Sequence, residues 1–223
     1  MNYKILNSGS DGNGLIIEDT ILIDCGITFK KLKDDYKKLK IVLLTHIHRD
    51  HFNKSTIKRL ASERPTLRFT CCDWLVKDLV NCGVEKKNID VLKIGKIYDY
   101  RDFKVIPIKL YHDVSNCGYK IKINGNKLIY ATDTNKIDHI IAKNYDFYFI
   151  EGNYESEEEL EQRKMEKLLK GEYYYEDRVR ETHLSKVRAT SWLLKNMGEN
   201  SKYIFMHEHH SKKGDLWKNF GKI

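Results

Sequence analysis

Thr45-His46-Ile47-His48-Arg49-Asp50-His51 packs three imidazoles and one carboxylate into seven residues, directly behind the apolar run Ile41-Val42-Leu43-Leu44. Imidazole and carboxylate together suit zinc or a similar divalent cation, and four such groups crowded at a strand end need a cation to neutralise and order them. His46 and His48, two apart, project to one side of an extended segment, whereas Asp50 and His51 follow once the chain has begun to turn. The spacing therefore predicts two half-sites. Each needs donors from elsewhere, because a catalytic zinc commonly takes three protein groups plus water.

Three further positions repeat the pattern of a metal-type residue directly after an apolar strand: His112 after 105–111, Asp133 after 128–132 and His207 after 203–206. A lone histidine or aspartate at such a place is more often a hydrogen-bonded or turn-forming residue. Recurrence at several strand ends is what marks these. His207-Glu208-His209-His210 offers extra imidazoles, and His209 stands as the alternative last ligand. His183 lies outside the expected ligands and is the candidate proton donor; the competing reading has it fixing the helix that begins at Ser185. The Gly-rich loop from Ser8 to Gly14 is either a plain hairpin loop or a cradle of backbone donors for an anion, with Ser10 and Asn13 as candidate substrate contacts.

The elements that must position these groups alternate along the chain. Strands are expected over 2–6, 14–18, 20–24, 40–44, 67–71, 103–111, 118–123, 127–132 and 146–150. Helices are expected from a cap at Ser55 to about Arg64, where Pro65 stops the turn, and over 73–81 and 155–170. The last carries a thin stripe, Leu160, Met165, Leu168 and Leu169, in a highly charged background, so it reads as a surface helix within a charged insertion at about 155–182. Tyr173-Tyr174-Tyr175 follows it; such a run packs on its own protein or a second subunit, as in a homodimer, more often than it stacks on bases.

The 223 residues suit one domain spanning 1–223, and 41% apolar with 32% charged residues excludes a disordered chain. No membrane span and no secretory apolar segment are visible, which predicts a cytoplasmic protein. Cys25, Cys71, Cys72, Cys82 and Cys117 are odd in number and form no C-x-x-C pair, so reduced, buried thiols are expected. The formal charge of +8 concentrates in Lys30, Lys31, Lys33, Lys37, Lys38 and Lys40 and again in Lys212, Lys213, Lys218 and Lys222, which favours an anionic partner such as a nucleic acid.

Taken together, Thr45 through His51, the upstream Leu22-Ile23-Asp24-Cys25-Gly26, and His112, Asp133 and His207 in that order resemble the metallo-β-lactamase superfamily over nearly the whole chain. The resemblance implies an α/β fold, a four-layer αβ/βα sandwich of two mixed β-sheets flanked by helices. It also implies two divalent ions, zinc or manganese: His46, His48 and His112 on one, Asp50, His51 and His207 on the other, Asp133 bridging, and Asp24 orienting a ligand imidazole. Ser8 through Asn13, Tyr130 through Thr134 and His183-Leu184-Ser185 are similar to the exonuclease-like branch also found in phages. That branch has a Glu-Ser-Asn-His-Asp-like stretch where this chain has Glu151-Gly152-Asn153-Tyr154-Glu155, so Tyr154 stands at the position of its histidine.

The expected function is a metal-dependent hydrolase, a phosphodiesterase or nuclease acting on nucleic acid through a metal-activated hydroxide, with Asp50 and His183 as catalytic groups. A cyclic-nucleotide phosphodiesterase is the alternative. A thioester or lactone hydrolase, or a binding module in which metals only hold loops, ranks below both.

Overall fold

The computed structural model describes residues 1–208, and contacts divide the chain into two compact units, Met1–Pro107 and the part from Ile108 onward. In the first, β1 (Tyr3–Asn7), β2 (Gly14–Ile17) and β3 (Ile21–Ile23) form an antiparallel meander. β3 then pairs in parallel with β4 (Ile41–Leu43), β4 with β5 (Arg68–Cys72) and β5 with β6 (Ile89–Leu92). Parallel neighbours need crossovers, and the helices α1 (Phe29–Leu32), α2 (Lys54–Glu63) and α3 (Val76–Asn81) lie in them. β2, β3 and β4 are buried at every position, which is why they read as unbroken apolar runs and not as alternation. Leu22, Val42 and Phe69 share a core cluster with Ile57 and Leu60 of α2 and Leu79 of α3.

The second sheet has the order β12-β11-β10-β9-β8-β7. Its strands are β7 (Tyr98–Asp99), β8 (Phe103–Tyr111), β9 (Ser115–Ile123), β10 (Asn126–Ala131), β11 (Phe147–Glu151) and β12 (Lys202–Met206). β9 and β10 form an antiparallel hairpin, and β10, β11 and β12 run parallel. Helices α4 (Glu157–Leu169), α5 (Glu176–Thr182) and α6 (Lys186–Asn196) fill the crossover from β11 to β12. Ile129, Ala131, Tyr148 and Ile150 pack with Ala189, Trp192 and Leu193 of α6. Both sheets are thus mixed and helix-flanked, as the resemblance implies.

Several boundaries differ from expectation for identifiable reasons. Asn53, not Ser55, caps α2: its Oδ1 accepts from Thr56 N at 3.1 Å, and the Ser55 hydroxyl donates to that same oxygen at 2.7 Å. The helix expected over 73–81 begins as a 3-10 turn, Asp73–Leu75, before α3. Helix α4 starts at Glu157 because the Ser156 hydroxyl accepts from Glu159 N at 3.2 Å, and Ser185 caps α6 in the same way through Arg188 N. Tyr174 and Tyr175 lie under the ammonium groups of Lys164 and Lys167 at 5.3 and 4.0 Å, so two of the three tyrosines make contacts within their own chain, although Tyr175, like Tyr173, remains exposed. Among the described residues no helix is long and apolar enough to cross a membrane.

Candidate metal centre

In the first unit β4 delivers the ligand loop and two neighbouring segments grip it. Asn13 N and the Asp50 carbonyl are 2.6 Å apart, Cys25 N donates to the His51 carbonyl at 2.9 Å, and Asn53 N donates to the Cys25 carbonyl at 2.8 Å. Gly26 makes the grip possible. A Cβ there would stand 1.6 Å from the Asp50 carbonyl oxygen, so only glycine lets the two segments approach.

Asp24, fully buried just past β3, sets the tautomers of two imidazoles. His51 Nδ1–H donates to Asp24 Oδ2 at 2.6 Å. The Thr45 hydroxyl donates to Asp24 at 2.9 Å and so accepts from His46 Nδ1–H at 3.0 Å. Both imidazoles therefore carry their lone pair on Nε2, the state a metal requires. The ligand atoms of His46 and His48 lie within 4.8 Å of each other, and His51 Nε2 is 3.6 Å from Asp50 Oδ2. This donor set fits a divalent ion.

In the second unit, the carboxyl ends of three adjacent parallel strands carry the groups: Asp133 follows β10, Glu151 closes β11, and His207 follows β12. Ligands in open α/β sheets gather at such ends. One potential ligand atom each from Asp133, Glu151, His183 and His207 lie within 4.8 Å of one another. His207 Nε2 is 3.4 Å from Asp133 Oδ1. His183 Nδ1–H donates to Glu151 Oε1 at 2.6 Å, while Glu151 Oε2 accepts from Thr134 N at 2.8 Å. His112, after β8, donates Nδ1–H to the Thr182 carbonyl at 3.0 Å, which leaves Nε2 for a ligand, 3.8 Å from Asp133 Oδ1. Burial holds the His112 pKa below the ordinary imidazole value, against the opposing pull of Asp133.

Three buried asparagines each clamp the backbone carbonyl of a candidate ligand. Asn13 Nδ2 donates to the Asp50 carbonyl at 3.1 Å, Asn116 Nδ2 to that of Asp133 at 2.7 Å, and Asn153 Nδ2 to that of His207 at 2.9 Å. Two of the clamped residues, Asp133 and His207, sit in the left-handed region with φ of 58° and 54°, as does the unclamped Asp24 at 57°. Each turns the chain sharply where a strand ends. Such backbone persists only where its surroundings hold it.

Each unit thus gathers its own expected donors: His46, His48, Asp50 and His51 around Asp24 in one, and His112, Asp133 and His207 beside His183 in the other. Ser10 is exposed in the loop before β2, whereas Asn13 is buried beneath the ligand loop. His209 and the lysines from Lys212 on lie outside the described residues. Of the earlier lysine run, Lys31 donates to Asn7, and Lys37, Lys38 and Lys40 pair with Asp34, Asp19 and Asp102 at 2.7, 3.5 and 3.1 Å. Lys30 and Lys33 belong to the same run. Sequence reasoning gave no role to Glu151, Thr45, Asn116 or Asn153. Glu151 alone had a usable signal, a carboxylate behind the apolar Phe147–Ile150. Tyr154, at the divergent position, donates its hydroxyl to Glu157 at 2.7 Å.

Residues 19–207 match the family model described as the Beta-lactamase superfamily domain, and the chain belongs to the metallo-β-lactamase superfamily. Its fold is shared with the metallo-β-lactamase fold protein YhfI from Bacillus subtilis, at TM-score 0.72 and 17% identity over 95% of this chain and 87% of that one. Human tRNase Z, short form, aligns at TM-score 0.66 and 13% identity over 93% and 92% of the two chains. A diphosphatase from the PhnP family aligns at TM-score 0.64 and 16% identity over 92% and 86%. No curated protein matches the chain in sequence. The chain is a metallo-β-lactamase-fold hydrolase with candidate metal ligands in place.

Proposed function

We propose that this hydrolase is a phosphodiesterase acting on nucleic acid. The observation that carries the reading is His183, tied to buried Glu151 and set among Asp133 and His207, an acid in hydrogen-bonded contact with groups of metal-ligand type. Two structures of the same fold, named a tRNase and a diphosphatase, and the formal charge of +8 support it. As the family resemblance implies, His46, His48, Asp50 and His51 of the first unit and His112, Asp133 and His207 of the second would be the ligands of divalent ions; imidazole with carboxylate suits zinc or manganese. Bound there, such ions supply an activated water near neutral pH and neutralise charge on phosphate oxygens.

The residues do the rest. Asp24 holds His46 and His51 in the tautomer that offers Nε2. Glu151 accepts the Nδ1 proton of His183, so the proton passed to the leaving oxygen comes from His183 Nε2. Asp50 is the second residue of the catalytic pair, its backbone fixed by Asn13.

Metal analysis after resupply with zinc or manganese should give about two ions per chain, the stoichiometry of a dinuclear hydrolase. The same protein, assayed on a panel of DNA, RNA, cyclic nucleotides and a bis-aryl phosphodiester, should cleave nucleic acid and the aryl ester in preference to the cyclic nucleotides. His48→Ala should lose hydrolysis together with at least one ion. Turnover confined to cyclic nucleotides would replace the polymer by the small substrate, and stoichiometry near zero would end the metal reading.

A further inference from the structure

Arg49 lies inside the ligand loop, yet it is exposed and enters no ion pair among the described residues. Two cavities of the first unit share it and Asn53. One, of about 310 Å³, also touches Asp50, Asp11 and Ser10. The other, of about 390 Å³, is lined by Arg49, Lys54, Asn53, Ser55 and the apolar side chains of Ile47 and Phe52.

Their charges differ. The first cavity sets two carboxylates, Asp11 and Asp50, beside the shared Arg49. The second carries two cations, a carboxamide and a hydroxyl, with no acid in its lining; the acid paired with Lys54 is Asp78 of α3, at 3.8 Å. A guanidinium offers a fork of donors to two phosphate oxygens, an ammonium adds a point charge, and an apolar wall suits a sugar or base face. The volume falls in the range of small-ligand sites.

Resting on the phosphodiesterase reading above, we propose that the 390 Å³ cavity is a subsite for the nucleotide next to the scissile phosphate of a polynucleotide strand. Arg49 and Lys54 hold its phosphate. A cyclic mononucleotide has no second phosphate to place there, so the cavity selects strand over monomer. No lysine of the run at 30–40 lines either cavity, and acids and an asparagine engage Lys31, Lys37, Lys38 and Lys40 at closer range than Asp78 engages Lys54.

The test compares the wild type with R49Q and K54Q, all metal-loaded, on a single-stranded oligonucleotide and on a bis-aryl phosphodiester. Losing one charge-assisted phosphate contact should lower the oligonucleotide-to-aryl ratio of kcat/KM about ten-fold, through KM. The slope of log Kd against log salt for the strand should also fall by about 0.7 for each cation removed. Lys54 is outside the ligand loop and exposed, so K54Q carries the test should R49Q lose metal. Ratios and slopes within experimental error of wild type in both variants would overturn the subsite while leaving the hydrolase intact. A wild type that cleaves no phosphodiester would overturn the underlying reading and the subsite with it.

Discussion

Glu151 Oε1 stands 2.6 Å from His183 Nδ1, with the carboxylate wholly buried and the imidazole partly open. A buried carboxylate fixes the ring's orientation and stabilises the imidazolium that a proton donor must form. On the phosphodiesterase reading proposed above, the pair would be a proton donor and its anchor. His183→Ala should slow substrates with poor leaving groups by ~10²–10⁴-fold and spare activated aryl esters. Glu151→Gln should reproduce part of that pattern, a loss of at least about ten-fold confined to poor leaving groups. Equal losses on both substrate types would assign the pair to structure instead.

Asp24 serves His46, through Thr45, and His51 together. Asp24→Asn should weaken metal binding by roughly 10–100-fold, the usual effect of removing an outer partner of a ligand imidazole. Competition against a graded series of chelators measures this directly. Binding unchanged within two-fold or so would remove Asp24 from the centre.

The asparagine clamps make a separate prediction about stability. Asn116→Ala leaves the Thr132 and Asp133 carbonyls without their buried donor, and Asn153→Ala does the same to the His207 carbonyl. Each should lower unfolding free energy by about 1–3 kcal/mol, read as a shift in denaturant midpoint at constant slope. Metal affinity should fall in the same variants.

Gly26→Ala should be more disruptive than any surface change in this unit, because its Cβ meets Asp50 backbone and not a movable side chain. A destabilisation of about 3 kcal/mol or more, with altered metal stoichiometry, is expected. A variant with wild-type melting and two ions would show that the loops separate readily.

The cysteines supply a pH dependence. All five are buried, and burial, aided by the neighbouring Cys72 and Asp73, pushes the Cys71 thiol up to about 12 from its ordinary value of 9.0. A raised folded pKa means the contribution to stability is present below pH 9.0 and is lost as pH climbs from 9.0 toward 12. The folded protein should resist iodoacetamide at pH 8 and become reactive on denaturation. Rapid native labelling of Cys71 would refute its protonated, enclosed state.

What the sequence could disclose was where an apolar run stops at a donor. His46, His112, Asp133 and His207 are all of that kind, and strand and side chain lie together in the chain; Asp24 entered only through the family resemblance. Asn116 and Asn153 act on partners 17 and 54 positions away, on carbonyls that no residue type reveals. Helix α5, seven residues long, is too short for a periodic signal and ends in the Thr182 carbonyl that His112 needs. The cap of α2 failed for a different reason: Asn53 and Ser55 are both good caps, and only the backbone turn decides between them.

The left-handed backbone at Asp24, Asp133 and His207 has an evolutionary corollary. Each position works against its own conformation, at a cost of about 1–3 kcal/mol, in order to aim a carboxylate or an imidazole. Glycine would relax all three, and asparagine would ease the histidine. Selection for stability and selection for turnover therefore pull in opposite directions at three places at once. In descendants released from catalysis, these should be among the earliest sites to drift toward glycine or asparagine, which makes them a genetic gauge of whether hydrolysis is still required.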